Sequence, residues 1–168
     1  MTAQQHAIAV AIGLMATLGF GSPAPAQPTP AQAECQNKAN APPDVQIAAC
    51  TRLIQAGTET SRNLGAAYGY RGLAYNTKGQ YDLASQYYDR AIKFRSDDAG
   101  LFGNRGNAYE NKGQHERAIR DYDQAIKLRP NDATLFYVRS IAKKAKGDLA
   151  GAEADLAAAR RINPNVGR

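Results

Sequence analysis

The sequence predicts an all-α fold built from antiparallel helix pairs stacked one on the next. Three observations carry this. A block of 34 residues recurs without insertion or deletion at 65–98, 99–132 and 133–166. Apolar residues within each block keep helical spacing. Glycine and proline punctuate the blocks at fixed places. A period of this size marks an array whose units bury their apolar sides against neighbouring copies.

The repetition is visible by eye: "NRGNAYENKGQ" at 104–114 echoes "YRGLAYNTKGQ" at 70–80. Aromatics recur at Tyr68, Phe102 and Phe136, and arginines at Arg71, Arg105 and Arg139. A small residue follows each arginine: Gly72, Gly106 and Ser140. Turn glycines recur at Gly79, Gly113 and Gly147, and alanines at Ala84, Ala118 and Ala152 and again at Ala91, Ala125 and Ala159. In the second block Leu101, Phe102, Ala108 and Tyr109 share one helical face, and Ala118, Ile119, Tyr122, Ala125 and Ile126 share another, so each block holds two helices. Gly113 ends the first helix where a left-handed residue is needed. Asp98 and Asp132 stand at N-cap positions, and Pro130 and Pro164 close the second helices. Some positions depart from the pattern. Ser96 replaces the closing proline, Lys143 stands where Tyr75 and Tyr109 do, and Leu156 where Tyr88 and Tyr122 do.

These residues resemble the tetratricopeptide repeat over 102 residues. The resemblance implies a right-handed superhelical solenoid whose first helices line a concave surface. That surface holds extended peptides or partner helices. Carried over by repeat position, it presents Leu73 and Asn76, then Asn104, Asn107 and Glu110, then Tyr137, Ile141 and Lys144, with Tyr70 near the entrance. Co-chaperone members clamp a terminal carboxylate with two lysines, two asparagines and an arginine. Those positions hold Gly69, Leu73, Asn104, Thr134 and Val138 here, and only Asn104 fits.

The first 26 residues are a different kind of text. The apolar run 7–20 precedes Ala24-Pro25-Ala26, which predicts a signal peptide cleaved before Gln27 and a periplasmic or secreted mature chain; an uncleaved anchor is the alternative. The run is short for a bilayer span, so no integral membrane span is expected in the mature chain. Residues 27–34 read as a flexible leader, and 35–64 as a divergent helical cap with a helix from near Asp44 to Gly57. Export gives the two cysteines, Cys35 and Cys50, a structural reading: a disulfide closing a short loop. A redox pair would favour the C-x-x-C spacing, which is absent. The cap resembles that of exported bacterial proteins carrying a Cys-bearing "AxxACT" helix ahead of such repeats.

A formal charge of +6 raises the question of an acidic partner. The basic residues are interleaved with Asp and Glu instead of clustering, which argues against a nucleic-acid stripe. Arg71, Arg105 and Arg139 replace a residue that is often leucine in such repeats. A charge there needs a partner, and Asp89, Asp121, Asp123 and Asp155 are available. The expectation is an Arg–Asp ladder; the rival is that the arginines grip an anionic ligand in the groove. His115 takes a packing or capping position, and no catalytic set, phosphate loop, metal site or cofactor motif can be assembled. The sequence thus points to a non-enzymatic scaffold or adaptor in the cell envelope with a protein or peptide partner. The alternative is an assembly subunit that forms a homo-oligomer or docks through its C-terminal helix, "AGAEADLAAARRIN".

Overall fold

The computed structural model describes residues 28–36 and 40–168. The segment expected to be a signal peptide lies outside them. Among the described residues there are eight helices and no strand: α1 (Pro30–Cys35), α2 (Pro43–Ala56), α3 (Ser61–Thr77), α4 (Tyr81–Phe94), α5 (Ala99–Asn111), α6 (His115–Leu128), α7 (Ala133–Lys146) and α8 (Leu149–Ile162). None is long and apolar enough to cross a membrane.

Local chemistry sets the helix ends. Asp98 and Asp132 cap α5 and α7 by accepting from the backbone amides of Gly100 and Thr134. Gly113 has φ of 69°, the left-handed value that lets the chain reverse between α5 and α6. One stretch differs from the sequence reading. Residues 30–34, expected to be flexible leader, belong to α1. Thr29 and Gln32 form a reciprocal capping box and Pro30 opens the first turn, so the Pro/Gln bias serves a helix start instead of a linker.

Each helix packs on its neighbour in sequence, and α3, α5 and α7 also touch one another in succession. The second helices α4, α6 and α8 make no such contact. First helices therefore lie closer together than second helices, and the array bends with α3, α5 and α7 on its inner side. Within a hairpin, the helices approach closely because Gly72 faces the ring of Tyr88, and Gly106 that of Tyr122. A Cβ on Gly106 would sit 2.6 Å from the ring. Both tyrosines are buried, and each lies in an apolar cluster that runs on into the next unit through Leu101 and Ala108 or through Ala142.

The N-terminal cap closes the array on one side. Cys35 and Cys50 form a disulfide and are fully buried beside Ala49 and Ala67. Gln46 Nε2 donates to the carbonyl of Cys35 at 2.9 Å, and Arg52 pairs with Glu34. The following helix, α3, has 17 residues against 13 in α5, one extra turn at its start.

Reducing the disulfide should lower unfolding free energy by about 3 kcal/mol, the chain-entropy value for a loop of this size. Urea unfolding with and without reductant measures this. Gly106→Ala should destabilise by about 1–3 kcal/mol through the forced shift of Tyr122, read in the same assay.

Candidate functional site

The inner side of the array carries three open clefts, and together they contain every groove residue named from the sequence. Tyr70, Leu73 and Asn104 line a cleft of about 200 Å³ between α3 and α5, floored by Gly69 and Leu101. The Arg95–Asp98 ion pair, at 2.7 Å, edges it. Asn76, Asn107, Glu110 and Ile141 line the next, about 260 Å³, across α3, α5 and α7. Tyr137, Ile141 and Lys144 border a third of about 460 Å³ at the C-terminal end, with Leu149, Leu156 and Arg160 from α8. Leu73 and Ile141 are exposed, at 39% and 44%.

A further cleft of about 460 Å³ lies between the cap and α3, and Tyr70 joins it to the first. Its polar lining includes Gln32, Glu59 and Asn63. The carboxylate of Glu59 accepts from Gln32 Nε2 and Asn63 Nδ2, each at 2.9 Å. Sequence reasoning missed these residues because they precede the repeats and have no periodic counterpart. It also missed Asn111, which lines the middle cleft and donates to the carbonyl of Asn107.

The groove is tied to the core through Asn107. Its Oδ1 accepts from Tyr122 Oη at 2.7 Å, which satisfies a buried hydroxyl. One unit earlier Leu73 stands at the same repeat position, and the equivalent hydroxyl, on Tyr88, is buried without a partner. Burial raises both phenols well above their usual range. His115, at the start of α6, places Nδ1 3.0 Å from Glu110 Oε2 at the groove margin.

The arginines lie apart from these clefts. Arg105 Nε and Nη2 donate to the two oxygens of Asp121 at 2.8 and 2.6 Å, and Nη1 to Asp89 at 2.6 Å. Arg139 repeats this with Asp155 and Asp123. Burial by itself would depress the Arg105 guanidinium, but its hydrogen bonds and the charges of Asp121 and Asp89 outweigh that and raise it. Burial pushes the Asp155 carboxyl up, while bonds from Arg139 and Lys143 pull harder and hold it below its usual value. Arg71 departs from the expected ladder. Nη1 donates to Thr51 Oγ1 at 3.0 Å, Nε has no partner, and the guanidinium lies 4.0 Å over the ring of Tyr87. The physical reason is substitution at both carboxylate places. Tyr87 stands where Asp121 and Asp155 do, and Thr51, shifted by the extra turn of α3, meets Arg71 where Asp89 meets Arg105.

The family described as Tetratricopeptide repeat matches residues 99–132, and one described as TPR repeat matches 72–113. No curated protein matches the sequence. Among solved structures, MamA (41-end) from Desulfovibrio magneticus RS-1 aligns with a TM-score of 0.73 at 15% identity, covering 84% of this chain and 78% of that one. A second MamA crystal structure aligns with a TM-score of 0.71 at 19% identity, over 82% and 81% of the two chains. These likenesses show the fold. The second TPR of Spaghetti (RPAP3), bound to the HSP90 peptide SRMEEVD, aligns with a TM-score of 0.59 at 27% identity, over 61% of this chain and 94% of that one.

Tyr122→Phe should cost about 1 kcal/mol by leaving Asn107 without its donor, whereas Tyr88→Phe should be neutral or stabilising because that hydroxyl has no acceptor to lose. Chemical unfolding of the two variants decides it, and equal losses would contradict the asymmetry. The depressed Asp155 carboxyl contributes stability that is present above the ordinary carboxylate range and lost as pH falls through its native value. Asp155→Asn should therefore flatten the acid limb of a stability-versus-pH curve.

Proposed function

We propose that this chain, a tetratricopeptide repeat protein, is a non-enzymatic scaffold that holds an extended peptide or partner helix along the inner side of α3, α5 and α7. Proteins of this family are in general interaction modules without catalytic activity. The observation that carries the reading is the row formed by Tyr70, Leu73, Asn104, Asn107, Ile141 and Tyr137, where two amides lie between apolar and aromatic points across successive clefts. The Asn107 carbonyl oxygen is engaged by Tyr122, which fixes the side chain and leaves its Nδ2 to donate to a ligand carbonyl. Leu73 and Ile141 supply exposed apolar seats for ligand side chains, a division of labour common to peptide grooves. Glu110 and Lys144 add opposite charges at successive repeats.

The ligand differs from that of the Spaghetti domain. Gly69, Leu73, Thr134 and Val138 stand where the co-chaperone clamp needs lysine, asparagine and arginine, and only Asn104 matches. The partner is thus gripped along its length and not by a terminal carboxylate. An envelope setting for the mature chain is supported by the apolar run at 7–20 and by the buried Cys35–Cys50 bond, which suits an oxidising compartment.

A second reading, assembly through the C-terminal end, is favoured by the exposure of Leu149 and Ile162 on α8, with Leu149 61% exposed.

Crosslinked capture on the exported mature protein, followed by mass spectrometry, tests both. Leu73→Ser with Ile141→Ser should remove captured partner at least about tenfold, the loss expected from about 1.4 kcal/mol of apolar contact, without changing the helical spectrum. Loss on Ile162→Glu, at an exposed residue outside the three inner clefts, with the groove pair unaffected, would select the assembly reading.

A further inference from the structure

We propose that Arg71 and Arg90, with the rings of Tyr68 and Tyr87 beneath them, form a second contact surface that takes an aspartate or glutamate carboxylate from a partner protein. The surface is separate from the groove clefts, none of which these four residues line.

The array supplies its own reference. At the same repeat position, Arg105 and Arg139 each hold two carboxylates, one in bidentate geometry. Arg71 is as deeply placed, 7% exposed, yet makes no ion pair among the described residues and leaves Nε unpartnered. Taking a guanidinium out of water without an anion is costly, and one hydroxyl from Thr51 together with an aromatic face offsets only part of that.

A second cation adds to the imbalance. Arg90 has its Cζ 5.6 Å from the Tyr87 ring centroid and 5.8 Å from that of Tyr68; the Arg71 Cζ is 4.0 and 5.6 Å from the same two rings. Arg90 also forms no ion pair among the described residues. Its repeat counterparts are Gln124 and Ala158. Arg105 and Arg117 share one ring, that of Tyr109, but among the described residues only the first unit sets two guanidiniums over the same pair of rings, and only that unit lacks the aspartate. Two unpaired cations beside the same rings disfavour one another, and a carboxylate that reaches the edge of this pair would offset both charges. The rings are held for that role, because Tyr87 stacks on Tyr75 at 5.1 Å, and Tyr68 on Phe94 at 6.0 Å. Two forked donor sets over planar walls suit the planar, bidentate carboxylate.

Fluorescence anisotropy with labelled hexaglutamate at physiological salt provides the test, on the full mature chain. Binding should weaken by about ten- to a hundredfold in Arg71→Leu and in Arg90→Gln, the loss of one charge-assisted contact. Thr51→Asp, which gives Arg71 an internal carboxylate, should weaken it similarly while raising thermal stability. Arg161→Gln, an equal charge change on α8, should leave it unaltered. No binding by the wild-type chain, or equal weakening in Arg161→Gln, would overturn the proposal. So would inorganic phosphate displacing the peptide at micromolar concentration, since that identifies a phosphate site. The exposed Arg90 variant keeps the test decisive even where Arg71→Leu perturbs folding.

Discussion

How closely two helices can lie is the constraint on which the array depends, and in the first two repeats it is met by laying a tyrosine ring against a residue with no side chain. Gly72 under Tyr88 and Gly106 under Tyr122 bring the two helices of a hairpin together. The rings then reach apolar side chains that belong to the next unit. Stability in such an array comes from nearest-neighbour interfaces, and here each of the repeat-to-repeat interfaces is anchored by one fully buried tyrosine, Tyr88 or Tyr122, while the cystine takes that place at the cap. The groove depends on the same packing. First helices sit closer to one another than second helices do, and this difference in spacing turns a stack into a curved wall.

The two hydroxyls buried by those rings show how packing and surface are linked. Tyr122 reaches through to the groove and fixes the amide of Asn107. Tyr88, in the unit where Leu73 takes the place of Asn107, is buried and its hydroxyl finds no partner. One residue on the wall thus determines whether the core beneath it is satisfied, and the two units give the wall different chemistry, one amide and one apolar point. The arginines show a similar contrast. Where aspartate faces them they act as cross-braces between units; where tyrosine and threonine face them, charge is left over.

Much of the fold was legible in the sequence because a strict period makes every residue testify three times. Turn glycines, capping aspartates and the alternation of helices all followed from register alone, and the described helices agree with them. The cap was less legible. Its helices precede the first full repeat, so composition alone suggests a leader where α1 stands, although Thr29, Pro30 and Gln32 together spell a helix start. The partnering of Arg71 was missed for two reasons. Tyr87 replaces aspartate, which could be read from the alignment of the repeats. The extra turn of α3 moves Thr51 into the place of Asp89, and a slip in register cannot be read from periodicity that has not yet begun. Within the groove, repeat position located the wall residues, but the Glu59 amide cluster next to Tyr70 required coordinates.

The added turn of α3 also sets how portable the cap is. Its disulfide-bound helices meet the first hairpin four residues out of phase with every later junction, so they are keyed to that one seam. Transplanted onto an array of uniform repeats, the piece would present its hydroxyl and its cystine to the wrong rungs unless the lengthened helix travelled with it. The cap and α3 are thus one inheritable module, and the interchangeable part of the chain begins only at α4.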